Sequence, residues 1–238
     1  MINNKLDKIK KLSIQFSNDV NKLTFSEPVC FVYNPLEYAR NSYFKYLDMS
    51  IKGQTKNVFL GMNPGPWGMA QTGVPFGEVE LVRDWMKIDV GIGKPEKEHP
   101  KRPITGFGCN RSEVSGRRLW GYFKEKYKTA ELFFKDNFVA NYCPLVFMEE
   151  SGRNRTPDKL RKEEREKLYK ICDEHLLQII ELINPDWVIG IGGFAEKRIN
   201  SALSDLNIKT GKILHPSPAS PMANRGWAEM AEKQLNLI

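Results

Sequence analysis

Four side chains in this sequence combine chemistry with an unusual setting: Asn63, Asn141, His215 and Phe76. Asn63 and Phe76 share the stretch Gly61–Gly77, GMNPGPWGMAQTGVPFG, in which five of seventeen residues are Gly and three are Pro. That composition argues against helix and strand and fixes a special backbone path. His215 lies in Ile213-Leu214-His215-Pro216-Ser217-Pro218, braced by two prolines at the end of a strand-like run. The other two histidines differ: His99 falls in a charged, Pro-containing loop and His175 in a helical pattern. Two neutral amides, an imidazole and an aromatic ring can bind a planar polar heterocycle and stabilise an anion developing on it. Such a set suits the release of a good leaving group to water.

Other chemistries lack their residues. There is no Walker loop and no G-x-S-x-G elbow, and Ser217 is better placed to hydrogen-bond than to attack. Gly190-Ile191-Gly192-Gly193 lacks the full G-x-G-x-x-G spacing, and no acidic residue ends a strand about 20 residues further on. The turn is either a plain tight turn or a place where backbone N–H groups meet a phosphate. Cys30, Cys109, Cys143 and Cys172 stand far apart with no C-x-x-C pair, which argues against zinc and iron–sulfur sites and for free thiols. One His and two Asn are too few to ligate a metal. Neither cofactor nor metal is expected.

The elements that must position these residues follow from hydrophobic periodicity. Strands are expected at 57–61, 138–142, 186–191 and 212–215, each an apolar run ending at a turn signal. Helices are expected at 4–24, 36–50, 78–87, 113–128, from Thr156-Pro157 to Asn184-Pro185, from Gly193 to Leu206, and from Pro221 to Leu237. Residues 89–112, rich in Gly, Pro, Lys and Arg, read as a long surface loop. Strands alternating with helices predict an α/β fold, a three-layer α/β/α sandwich around a central, mostly parallel four-stranded sheet. In such sheets the site lies beyond the carboxyl ends of the strands. Asn63, Asn141, Gly192 and His215 then share one rim.

With 238 residues, the chain is expected to be one domain behind a helical N-terminal extension at 1–24. The net charge of +7 permits a polyanionic partner without proving one. The N-terminus is charged and amphipathic, with no apolar export core, and no apolar run approaches the ~18 residues of a membrane span. The expectation is a monomer that is not secreted, in a bacterial cytoplasm or a nucleus.

At these residues the sequence resembles the single-strand-selective monofunctional uracil-DNA glycosylases of the uracil-DNA glycosylase superfamily. The resemblance is carried by GMNPGPWGMAQTGVPFGE (61–78) and HPSPASPMANRGW (215–227), with HPKRP (99–103), SEVSG (112–116) and NYCPL (141–145), and it spans roughly 25–238. It implies a catalytic domain over 25–238 and excision of uracil and 5-substituted uracils such as 5-hydroxymethyluracil from single- and double-stranded DNA. By the same resemblance, Asn63 positions the attacking water and His215 stabilises the departing uracilate. Asn141 reads the polar edge of the base, Phe76 stacks on it, and Met62 and Gly65 shape the wall beside its 5-position. DNA is held by Gly192, Gly193, Ser217 and basic loops. Trp67 stands where family members carry Phe, and Ala219-Ser220 where they carry a basic residue, so Met222 or Arg225 is left to fill the gap of the flipped nucleotide. Two other readings need different outcomes: a damage-binding module would bind without releasing base, and a nucleoside hydrolase would act on free deoxyuridine.

Overall fold

Runs such as Val58-Phe59-Leu60 and Val188-Ile189 carry no polar alternation, so both faces of their strands must be covered. In the computed structural model, which describes residues 2–237, they lie at the centre of a parallel sheet. The strands are β1 (Phe31–Tyr33), β2 (Asn57–Gly61), β3 (Asn137–Asn141), β4 (Val146–Met148), β5 (Asn154–Arg155), β6 (Trp187–Ile191) and β7 (Lys209–Ile213). The main sheet has the order β3-β2-β6-β7, and all three pairings are parallel. The helices are α1 (Ile2–Asn21), α2 (Pro35–Tyr38), α3 (Arg40–Ser50), α4 (Met69–Thr72), α5 (Val114–Tyr127), α6 (Ala130–Phe134), α7 (Lys162–Ile183), α8 (Gly193–Ala202), α9 (Pro221–Asn224) and α10 (Trp227–Leu235).

The chain leaves β2 through α5 and α6 to reach β3 on one side, then returns through α7 to β6 on the other. Right-handed crossovers in opposite directions put α5 and α6 on one face of the sheet and α7 and α8 on the other. Consistent with that, α7 packs on α8 and α1, while α5 packs on α6 and α10. The connections after β2 and β6 diverge between neighbouring strands, which opens a crevice beyond their carboxyl ends. Register keeps those ends level: Gly61 pairs with Asn141, and Ile191 with Ile213.

Several elements depart from expectation for identifiable reasons. Thr156-Pro157 opens only a short 3₁₀ turn (Pro157–Lys159), because Leu160 is extended and buried; α7 begins at Lys162, with Glu163 and Glu164 in its first turn. The last strand is 209–213 rather than 212–215, since its exposed edge residues Lys209 and Lys212 mask the pattern. The expected helix 36–50 breaks at Ala39, and the C-terminal one at Gly226, whose φ is 129°. At 78–87 the helix is confined to 79–85, its larger part, Leu81–Trp85, being a π-turn. A second, antiparallel sheet, β1-β4-β5, has strands of two or three residues, too short to show periodicity.

Residues 89–112 do form a long connection, but it is pinned. His99 is buried; its Nε2 lies 3.2 and 3.0 Å from the carbonyls of Glu149 and Glu150, and its Nδ1 accepts from the Lys101 N–H. Gln71 is fully buried and makes four hydrogen bonds, to the Pro66 and Pro103 carbonyls and from the Thr105 and Gly106 N–H groups. Those bonds tie the Gly61–Gly77 stretch to the long loop. Among the described residues no helix is long and apolar enough to cross a membrane.

Helix α1 is not a free extension in space. Its Ile9, Phe16 and Val20 enter the core, and the Phe16 ring stacks on His175 of α7 with centroids 3.9 Å apart. Burial pulls the His175 pKa from the ordinary 6.5 down to about 3. The unfolded chain therefore binds a proton near pH 6.5 that the folded chain refuses until about pH 3. This contribution to stability is complete above pH 6.5 and lost as pH falls, by at most about 1.4 kcal/mol per pH unit for this one group. His175→Phe keeps the stack and removes the titration. Urea unfolding midpoints of that variant should fall less steeply below pH 6.5 than those of the wild type; identical slopes would refute the assignment.

Candidate active site

Beyond the level strand ends lies a cavity of about 380 Å³. Seven residues singled out in the sequence line it: Met62, Asn63, Gly65, Phe76, Asn141, His215 and Ser217. They come from three separate stretches of chain, and the sheet alone brings them together.

Asn63 follows β2. Its Nδ2 donates to the Leu145 carbonyl at 3.1 Å and, more loosely, to that of Pro64 at 3.4 Å. With the donor end committed, Oδ1 is left to accept, which is the geometry for holding a water. Asn141 ends β3. Its Nδ2 faces the weak acceptor Sδ of Met69 at 3.3 Å, and its Oδ1 is buried without a partner. A buried amide oxygen left unpaired costs about 1–3 kcal/mol, so the cavity is built for a donor that arrives with a ligand.

Phe76 and Asn141 converge on Gly61. A Cβ there would collide with the Phe76 ring and stand 2.6 Å from Asn141 Oδ1. Phe76 itself has φ 55°, a left-handed backbone costly for a phenyl residue, held because Trp120 Nε1 donates to the preceding Pro75 carbonyl at 3.0 Å. Gly116 of α5 then lets the helix backbone lie directly against the Phe76 carbonyl.

His215 stands opposite, its ring centroid 6.0 Å from that of Phe76. The strand end before it is fixed by Leu214, whose N–H donates to Gln234 Oε1 at 2.7 Å and whose carbonyl accepts from Trp227 Nε1 at 2.7 Å. Arg118 of α5 clamps the turn after it, donating to the Pro216 and Ser217 carbonyls, both at 3.2 Å. Burial pulls the His215 pKa from 6.5 down to about 4, so the imidazole is neutral at neutral pH and one ring nitrogen carries a proton to donate. Gly192 packs behind it; a Cβ there would stand 2.9 Å from His215 Cβ, and φ is 90°. Gly192 thus supports the imidazole.

The remaining sequence candidates stand outside the cavity lining. Gly193 opens α8 with free space around its Cα. Met222, 52% exposed, and the exposed Arg225 stand on and just after the short α9. Sequence reasoning did not single out Met69, Glu113, Ser115, Asn154 and Thr156 as lining residues. Glu113 and Ser115 lie within the SEVSG motif, so the signal was present without a role attached. Glu113 also changes the meaning of Gly65: the space above its Cα is filled by the Glu113 carboxylate, with which a Cβ would collide.

The strand ends of a parallel α/β sheet thus enclose amides, a neutral imidazole, a phenyl ring and the Glu113 side chain in one cavity, a set of groups that can bind a flat polar heterocycle. The profile of the uracil DNA glycosylase superfamily matches residues 50–236, and the chain belongs to that superfamily, within its single-strand selective monofunctional family. The single-strand selective monofunctional uracil DNA glycosylase of Bos taurus is 45% identical over 225 residues, covering 94% of this chain and 83% of the relative. That of Rattus norvegicus is 45% identical, covering 93% and 81%. The crystal structure of Pedobacter heparinus SMUG2 superposes with a TM-score of 0.69 over 96% of both chains at 19% identity, a likeness of fold. Membership makes the chain a DNA glycosylase, a hydrolase of the N-glycosidic bond.

Gly61 tests this geometry. Gly61→Ala should destabilise the fold by about 1–3 kcal/mol through overpacking and cost far more in base release than in stability, because Phe76 and Asn141 must both move. Denaturant melts and single-turnover rates on one preparation check this; unchanged rates would show that the contact does not shape the pocket.

Proposed function

We propose that this protein flips uracil out of DNA and hydrolyses its glycosidic bond, leaving an abasic site. The observation that carries this is the orphaned Oδ1 of Asn141 inside the cavity. The N3–H of uracil supplies the missing donor, and the 4-oxygen accepts from Nδ2 in place of the Met69 sulfur. Cytosine reverses that pattern, so Asn141 rejects it. Phe76 stacks on the extracted base, whose unstacking costs a few kcal/mol and least in single strands.

An amide is too weak a base to deprotonate water, so the bond breaks first. The glycosidic electron pair leaves with N1 of uracil, C1′ becomes an oxocarbenium centre, and the water held by Asn63 Oδ1 adds to it. His215, neutral and donating from a ring N–H, stabilises the uracilate; a donor of this kind is worth about 3 kcal/mol. Ser217, Gly192, Gly193 and the basic loops hold the strand, and Met222 or Arg225 enters the gap. 5-Hydroxymethyluracil is a second substrate in this reading, on the strength of the family resemblance. Both single- and double-stranded DNA are substrates in this reading, and the enzyme works as a monomer wherever the cell keeps its DNA.

Incubation with a uracil-containing single strand, followed by alkali, should cut the strand at uracil; an intact strand, with none cut at 5-hydroxymethyluracil either, would sink the reading. Asn63→Ala and His215→Ala should each slow single-turnover release by at least ~100-fold while melting as wild type does. Asn141→Asp should lose uracil release by a comparable factor, because a carboxylate cannot donate to the 4-oxygen.

A further inference from the structure

We infer that Glu113 is a further working group of this site, its carboxylate serving as the counter-charge to the sugar cation formed when the glycosidic bond breaks. The inference rests on the glycosylase reading above. Glu113 lines the same cavity as Asn63 and His215, and it is the one acidic side chain to do so. The other polar side chains there are amides, hydroxyls and the neutral imidazole, none of which carries charge at neutral pH.

The seat of this carboxylate is built. It lies over Gly65, where a Cβ would collide with it, and its stem lies over Gly68, where a Cβ would stand 2.9 Å from Cγ. Two glycines of the Gly61–Gly77 stretch are thus spent on admitting one side chain. The backbone amides of Ser115 and Trp67 favour its ionised, accepting form. Burial pushes the carboxyl above the ordinary glutamate value, and the Ser115 and Trp67 backbone offsets that only in part. No Lys, Arg or His pairs with it among the described residues, so its charge faces the cavity uncompensated.

Dissociative cleavage creates one positive charge, shared by C1′ and the ring oxygen, and one negative charge on uracil. His215 answers the negative one. Asn63, being neutral, cannot answer the positive one. Glu113 does so without forming a bond or taking a proton: the electron pair of the C1′–N1 bond leaves on uracil, water oxygen forms the new bond to C1′, and the water's proton passes to uracil or solvent. A fixed charge held beside a cation within protein walls acts more strongly than one in water, because it is already oriented and needs no solvent rearrangement.

The alternative role is a clamp that merely holds the Gly65–Gly68 loop against α5. Two abasic-site oligonucleotides separate the roles: one carries a neutral tetrahydrofuran and the other a pyrrolidine ring, cationic at neutral pH and a mimic of the sugar cation. Wild-type protein should bind the pyrrolidine strand about 30–100-fold tighter than the tetrahydrofuran strand. Glu113→Gln, which keeps size and accepting oxygen, should reduce that preference to within about threefold and slow single-turnover uracil release by ~100-fold. A clamp would weaken both strands alike, so an unchanged preference in Glu113→Gln overturns the inference while wild-type uracil release stands. A wild type that neither releases uracil nor binds either strand overturns the parent reading together with this one.

Discussion

Everything at this site depends on how closely the backbone of β2 can be approached at its last residue. Gly61 pairs with Asn141 in the sheet, and the Phe76 ring lies where a side chain on Gly61 would be. That contact sets the floor of the pocket. It fixes the separation between the Phe76 ring and the Asn141 amide, while the Trp120 bond to the Pro75 carbonyl holds the left-handed backbone at Phe76. Around it the same device recurs: Gly65 and Gly68 admit Glu113, Gly116 admits the Phe76 carbonyl, and Gly192 admits the stem of His215. Glycines here create proximity between groups that chemistry needs and bulk would separate.

The sheet supplies the frame for that proximity. Parallel pairing in level register brings the chain out of β2, β3 and β7 at one height, so three loops from distant parts of the sequence share one cavity. Divergence of the crossovers after β2 and β6 keeps the space between them free of helix. The helical layers then hold the loops. Trp120 and Arg118, both on α5, grip the Phe76 and His215 loops, and Gln234 and Trp227 of α10 grip the strand before His215. The buried amide of Gln71 secures the loop bearing Asn63 to the long basic connection at 89–112.

The electrostatics of the pocket follow from burial. An imidazole denied water stays neutral and serves as a donor, and an amide with its donor end tied to Leu145 serves as an acceptor. The protein thus assigns polarity to side chains that in water would offer either end. The unpaired Asn141 oxygen is a place where the fold leaves a cost uncovered inside the pocket, and Asn154 Oδ1 on the same lining is another. The Asn141 oxygen sits where a base would bring its own donor.

The sequence by itself determined a good deal. Apolar runs without alternation specify strands buried on both faces, and their alternation with helical patterns specifies a parallel sheet. The clustering of Gly and Pro around Asn63, and of Pro around His215, marks both loops, because such residues are placed where the backbone path matters. Four strands and the residues at their ends were therefore legible. What was not legible depends on contacts between segments. The three short strands β1, β4 and β5 have too few residues for a period to appear, and they exist only through pairing with one another. His99 reads as a surface residue in a charged loop, yet the carbonyls of Glu149 and Glu150 make it an anchor. Gly65 reads as a bare stretch of pocket wall until the start of α5 brings Glu113 onto it. Residue type and spacing reveal which groups are chosen and where the chain turns. Only tertiary packing decides what fills the space beside them, because that space belongs to another part of the chain.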